Sequence, residues 1–348
     1  MSNIKIGERM IGDGEPVLVI AEAGVNHNGE LARALELVEV ARAAGADAVK
    51  FQLYRPEEQV SRAAQTAGYQ RAQTGADNML EMARSYELPW EAHRAIAAHC
   101  REVGIAYMSS CFDREAVDFL VQLGGESIKV GSGEMTNYPL LAHMSRTGLP
   151  ILLSTGMSTL ADVAGAVEHI RGSGPSPLAL FQCVSNYPTA PESVNLRAME
   201  TMRRAFDLPV GFSDHTEGAT VAVSAVALGA CMLEKHFTLD KNLPGPDHAM
   251  SLDPRELRDY VKAIRIAESA LGDGIKRPVE TELETLVAAR RSLVSARGIV
   301  AGESLDETNV TLKRPATGID PRLWQTVRGR KAATDIPADV PITWEMLA

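Results

Sequence analysis

No stretch of this 348-residue chain approaches the ~20 consecutive apolar residues that a transmembrane helix requires. The first dozen residues lack the basic start and apolar run of a secretory leader. Cysteine is scarce: Cys100, Cys111, Cys183 and Cys231 form no C-x-x-C pair. A disulfide framework is therefore not expected, and a reduced, cytoplasmic setting is. Excess positive charge is also missing. The formal net charge is −10, which argues against nucleic acid or an anionic membrane as partner. Residues 293–348 carry seven basic and seven acidic side chains, so the whole excess falls on the preceding part. No G-x-G-x-x-G follows the first apolar run, which removes the main support for a dinucleotide-binding sheet.

What is present is a strict alternation. Apolar runs at 17–23, 48–52, 106–112, 127–130, 150–156, 178–184, 209–213 and 232–237 read as buried strands. Each is followed by a stretch of helical periodicity, from Leu31–Ala44 after the first to Pro254–Leu271 after the last. Eight βα units in ~260 residues predict an α/β fold, a (β/α)8 barrel, over residues 1–274. A short hairpin is expected before it, around Asp13-Gly14. Residues 275–291 read as a charged helical linker. Residues 292–348, with short strands at 292–296, 299–300 and 311–315, read as a small mostly-β domain. The weakly patterned stretch Arg55–Glu87, with a helix near Met79–Ser85, is either a functional loop or lid or a plain surface excursion.

In a parallel barrel the site lies at the C-terminal ends of the strands. Those ends supply Glu22, Lys50, Ser110, Lys129 with Ser132 and Glu134, Ser154, Ser185 with Tyr187, Ser213 with His215, and Glu234-Lys235-His236. Period-2 alternation puts Ser213 and His215 on one face of their strand, and Glu234 and His236 on one face of theirs. A lone histidine in a strand is more often a hydrogen-bonded core residue, and a lone lysine at a strand end is usually solvated. Eight polar strand ends together are another matter, because each unsatisfied buried group costs about 1–3 kcal/mol. The lysines and serines suit a phosphate or carboxylate. His215 and His236 suit a divalent metal. Glu22 and Glu134 suit proton transfer. Aldolase, condensing synthase, isomerase and phosphatase all remain open on these residues.

Several motifs resemble the sialic acid synthase family: residues 20–29 (IAEAGVNHNG), 128–134 (IKVGSGE), 153–157 (LSTGM), 211–216 (GFSDHT), 234–238 (EKHFT) and 245–248 (GPDH). Lys313 to Gly318 in the tail is similar to that family's C-terminal antifreeze-like (SAF) domain. The resemblance implies condensation of phosphoenolpyruvate with an N-acetylmannosamine-type sugar, giving a nine-carbon sialic-type acid and phosphate, with Mn2+ or Mg2+ required. It implies that His215 and His236 bind the metal. Lys50, Ser110, Lys129, Ser132, Ser154, Ser185 and Ser213 would hold phosphoenolpyruvate, and Glu22 and Glu134 would be the acid/base pair. Tyr187 and Asp247 would contact the sugar. Arg314 would reach the neighbouring subunit's site in a domain-swapped homodimer. Ser185 stands where well-known bacterial sialate synthases carry Asn, which leaves the sugar open between sialate, legionaminate and pseudaminate types. A non-catalytic carbohydrate-binding protein on the same barrel is the alternative of a different class.

Overall fold

The structure is a computed structural model and describes residues 3–348. It divides into two compact units, Met1–Gly272 and Asp273–Ala348.

The first unit begins with a hairpin of β1 (Ile4–Ile6) and β2 (Arg9–Ile11). Its turn is at Gly7-Glu8, not at Asp13-Gly14 where turn chemistry placed it. Ile4, Ile6 and Ile11 are the reason: they need an apolar seat, and the barrel's interior supplies it. Eight parallel strands follow: β3 (Leu18–Gly24), β4 (Ala48–Leu53), β5 (Ala106–Cys111), β6 (Ile128–Val130), β7 (Ile151–Ser154), β8 (Leu178–Cys183), β9 (Val210–Asp214) and β10 (Met232–His236). They pair in sequence order and close through β10 against β3.

Both faces of these strands are buried, which is why they read as continuous apolar runs. Outward residues such as Val19, Val49, Ile128, Leu153, Leu180 and Leu233 pack against the crossover helices. Inward residues Leu18, Ile20, Ala48, Met108, Leu152, Ala179, Phe181 and Met232 fill the interior together with the hairpin isoleucines. The apolar filling thus seals the N-terminal end of the barrel and leaves the C-terminal end to polar side chains. At Gly211 the lack of a side chain matters, since a Cβ there would lie 2.6 Å from the Met232 carbonyl oxygen and 2.9 Å from the Phe181 ring.

The helices begin and end where the sequence places their caps. Thr159 caps Leu160–Ser173 in a capping box with Asp162, and Asp253 does the same for Pro254–Leu271 with Glu256. Gly45 ends Leu31–Ala44 at φ 83°. The segment after β4 forms three short helices, Pro56–Gln59, Gly68–Thr74 and Met79–Ser85.

The second unit opens with a helix, Leu283–Ala289, in the stretch read as a linker. Its core is Leu293, Ile299, Leu305, Ile319, Val327, Ala332, Ile336 and Ile342. Strand β11 (Ser292–Ser295) pairs antiparallel with β12 (Val310–Lys313). Ile299, expected in a strand, makes a single bridge to Ile336. Among the described residues no helix is long and apolar enough to cross a membrane.

Candidate active site

The C-terminal mouth of the barrel encloses a cavity of about 490 Å³. That lies within the range of small-molecule sites. The strand registers decide which side chains line it. Glu22 is paired with Lys50 and His236, Gln52 with Ser110, Ser110 with Lys129, Ser154 with Phe181, and Ser213 with Glu234 and Cys183. Because neighbours in register share a face, polar residues at these positions ring one mouth.

Four buried charges form the centre. Lys50 Nζ lies 2.8 Å from Glu22 Oε2 and 3.6 Å from Glu234 Oε2. Lys129 Nζ lies 3.4 Å from Glu234 Oε1. Lys50 donates to Ser110 Oγ at 2.8 Å, Lys129 to Ser154 Oγ at 2.8 Å, and Ser213 Oγ to Glu234 Oε1 at 3.1 Å. All four charged side chains are at most 6% exposed. Burial raises the Glu22 carboxyl, against the pull of Lys50. Burial would also raise Glu234, but Lys129 and Lys50 together outweigh it and hold the carboxyl low. Lys50 is lowered by burial and more than restored by the Glu22 and Glu234 carboxylates. Lys129, with less carboxylate around it, ends below the usual lysine value. Two buried lysines are thus held by two carboxylates, one of which is poised near protonation.

Ser132 and Ser185 complete the hydroxyl lining beside Gly156. Ser132 Oγ accepts from the Gly156 amide at 3.0 Å. A Cβ on Gly156 would sit 2.4 Å from Ser185 Oγ and 2.7 Å from Ser132 Oγ, so any other residue would displace both hydroxyls.

The two imidazoles stand side by side, with ring centroids 5.7 Å apart. His215 Nδ1 lies 2.7 Å from the Val184 carbonyl oxygen. A carbonyl only accepts, so Nδ1 carries a proton. Burial pulls the His215 pKa down, but Cys183 and the Val184 carbonyl more than offset it and leave it raised. His236 Nδ1 is buried without a hydrogen-bond partner. Asp247 Oδ2 is 4.0 Å from it. Burial holds His236 well below the ordinary histidine value, and therefore neutral, as a ligand must be. Tyr187 packs on both rings, 4.1 Å from His215 and 5.8 Å from His236. Burial lifts the Asp247 carboxyl to about 6. An orphaned ring nitrogen, two adjacent imidazoles and a nearby carboxyl fit a divalent cation whose remaining ligands are water and substrate oxygens. Among the described residues no ready-made group of three or more His, Cys, Asp or Glu ligands occurs.

Twelve of the fourteen residues given a role by sequence line this cavity. Glu22, Lys50, Ser110, Lys129, Ser132, Ser154, Ser185, Tyr187, Ser213, His215, His236 and Asp247 line the cavity, and Glu234 lies among them. Glu134 does not: the lining stops at Gly133, and the Glu134 carboxylate accepts from Asn137 Nδ2 at 2.7 Å at the start of helix Tyr138–Ser145. Arg314 belongs to the second unit and is exposed.

Sequence reasoning gave no role to Glu234, which sits between the two lysines, nor did it single out Gln52 or Cys183, which also line the cavity. The alternation that placed His236 on the inner face placed Glu234 there too, two residues earlier on the same strand, but supplied no role for it. The same alternation turns Lys235 outward, where it pairs with Asp214 at 3.3 Å and stacks near Tyr260. Other polar residues of the motifs fasten loops. Asn26 Nδ2 donates to the Phe237 carbonyl at 2.8 Å, and Asn28 Oδ1 lies 3.0 Å from His248 Nε2. These bonds hold the loop that carries Asp247 against the loop after β3.

Comparison with known proteins gives the same direction. Residues 37–276 match the model of the NeuB family, and residues 290–348 match the SAF domain. The N,N'-diacetyllegionaminic acid synthase of Legionella pneumophila is 42% identical, over 99% of this chain and 98% of the relative. The human N-acetylneuraminate-9-phosphate synthase is 33% identical, over 97% and 95%. The crystal structure of an N-acetylneuraminic acid (sialic acid) synthetase from Leptospira borgpetersenii, in complex with citrate, superposes with a TM-score of 0.73 at 31% identity, covering 82% of this chain and 95% of that one. On this match, and on the length of chain it covers, the protein belongs to the NeuB family and ends in a SAF domain.

Proposed function

We propose that this protein joins C3 of phosphoenolpyruvate to the aldehyde carbon of an open-chain N-acetylmannosamine-type sugar, giving a nine-carbon 2-keto acid and inorganic phosphate. The observation that carries this reading is the pair of buried lysines, Lys50 and Lys129, ringed by serine hydroxyls next to two adjacent imidazoles in one cavity. The relatives that match over nearly the whole chain support it, being named as synthases of such acids.

Lys50 and Lys129, with Ser110, Ser132, Ser154, Ser185 and Ser213, bind the phosphate and carboxylate of phosphoenolpyruvate by charge-assisted hydrogen bonds. Tyr187 and Asp247 orient the sugar next to His215 and His236. A divalent ion held by these two histidines would supply Lewis-acid polarisation of the sugar aldehyde. As C3 attacks, the aldehyde oxygen needs a proton, and Glu22, its pKa raised by burial, is the acid that supplies it. Water then adds at C2, returning a proton to Glu22. Collapse of the tetrahedral adduct forms the C2 carbonyl and breaks the C2–O bond to phosphate, which leaves with the C2 hydroxyl proton. Glu134, held by Asn137 outside the lining, takes no part in this scheme.

A second reading of the sugar, a 2,4-diacetamido-2,4,6-trideoxymannose, is favoured by the higher identity to the legionaminic acid synthase than to the neuraminate-9-phosphate synthase. The test of the reaction class is phosphate release. It should require both phosphoenolpyruvate and an amino sugar, stop on thorough chelation and return with Mn2+ or Mg2+. His215→Ala and His236→Ala should each lower kcat by about 10²-fold or more. Undiminished turnover after chelation, or in either variant, would remove the metal from the scheme.

A further inference from the structure

Asp214 and Lys235 each stand directly before one of the two imidazoles, and alternation turns both away from the cavity. Two residues earlier on that outer face, Phe212 and Leu233 are apolar and belong to the core under the helices. Asp214 and Lys235 are buried there as an ion pair, 3.3 Å apart and at most 2% exposed. Apolar side chains of similar volume would stabilise the same place at least as well. Stability alone therefore does not account for the two charges, and their hydrogen bonds show another use.

The pair sits on the last rung of the β9–β10 ladder, where Asp214 is in register with Lys235. His236 is the final residue of β10 and is still held on its other side, in register with Glu22 of β3. Its carbonyl accepts from the Leu252 amide at 2.9 Å. His215 lies one residue past the end of β9. The ladder no longer fixes its backbone there, and the ion pair takes over. Asp214 Oδ1 accepts from the Thr216 amide at 2.9 Å and from the Thr216 hydroxyl at 2.7 Å. Lys235 Nζ donates to the Thr216 carbonyl. Tyr260, on helix Pro254–Leu271, donates its hydroxyl to Asp214 Oδ2 at 3.2 Å. The residue before His215 and the residue after it are thus both tied to one ammonium group, on the strand that carries His236.

We propose that Asp214, Lys235 and Tyr260 are positioning residues that set the His215 ring at its 5.7 Å centroid spacing from His236, the spacing in which both rings serve one divalent cation. None of the three lines the cavity. The proposal rests on the metal role of the two histidines given above and adds the group that fixes their geometry.

The test is the Kd for Mn2+, measured by titration calorimetry on the full chain freed of metal by chelation. It compares the wild type with His236→Ala, Lys235→Met and Tyr260→Phe. Groups that orient metal-binding histidines are worth roughly 10–100-fold in metal affinity, and Lys235→Met should raise the Kd by that factor. Tyr260→Phe keeps the ion pair and removes one hydrogen bond, so it should raise the Kd by roughly 3–10-fold. It carries the comparison if Lys235→Met yields little folded protein. At saturating Mn2+ the KM for phosphoenolpyruvate should stay at the wild-type value in both, because Lys50 and Lys129 lie on β4 and β6. Wild-type Mn2+ affinity in every folded variant overturns the proposal, whatever the change in Tm, since a merely stabilising cluster would lower Tm alone. So does a KM for phosphoenolpyruvate that rises as far as the Kd for Mn2+. Undiminished Mn2+ affinity in His236→Ala would instead overturn the metal site itself, which separates the two failures.

Discussion

Glu234 shows how one carboxylate can organise a site through its neighbours. It lies between Lys129 and Lys50 and accepts from Ser213. In the proposed reaction phosphoenolpyruvate draws the same lysines and the same hydroxyl, which would make Glu234 a built-in counterion for the free protein. Glu234→Gln leaves two ammonium groups short of compensation. Breaking one partner of a buried pair costs about 3–5 kcal/mol. The ligand-free variant should therefore melt well below the wild type, and phosphoenolpyruvate should raise its Tm by more than it raises that of the wild type. Equal increments in a thermal-shift comparison would contradict the counterion role. Much of this residue-level picture was legible beforehand. Lys50, Lys129 and the serines stand at strand ends, and alternation points them inward. Glu234 obeys the same rule, but its role comes from lysines on strands far away in sequence, and only barrel closure brings these together. Glu134 shows the converse: its motif is intact, yet a local turn hands its carboxylate to Asn137.

At the scale of elements, the strands were readable because a barrel buries both faces and so writes continuous apolar runs. The short helices after β4 were not, apart from Met79–Ser85, since pieces of four to seven residues have too little periodicity to betray themselves. The helix Trp90–Val103 carries a cost of its own packing. His93 is 1% exposed, with Nδ1 3.0 Å from the Tyr107 hydroxyl, and burial lowers its pKa to about 4. Between the ordinary histidine value and about 4 the unfolded chain binds a proton that the folded protein refuses, so this group removes stability as pH falls. In His93→Leu the slope of unfolding free energy against pH, between about 4.5 and 6, should be shallower by up to roughly 1.4 kcal/mol per pH unit. Urea unfolding at several pH values measures it, and an unchanged slope would show that His93 is protonated in the native core.

For the whole molecule, the barrel and the SAF domain are separate compact units, each with its own core. The break falls at Gly272-Asp273, close to where the sequence changes from βα alternation to short strands. The resemblance to sialic acid synthases assigns Arg314 to a partner subunit's sugar, and mixing tests that assignment. Arg314→Ala and His236→Ala subunits, each inactive alone, should regain part of the activity when co-assembled. Heterodimers without activity would contradict a shared site. The fate of the oxygen bridging C2 and phosphorus tests the proposed condensation most directly. Phosphoenolpyruvate labelled with 18O in the oxygen bridging C2 and phosphorus is turned over with the amino sugar, and the released phosphate is weighed by mass spectrometry. Water addition at C2 and C–O cleavage predict that the label leaves with phosphate. Phosphate released without the label would mean P–O cleavage and would contradict the condensation derived from this site.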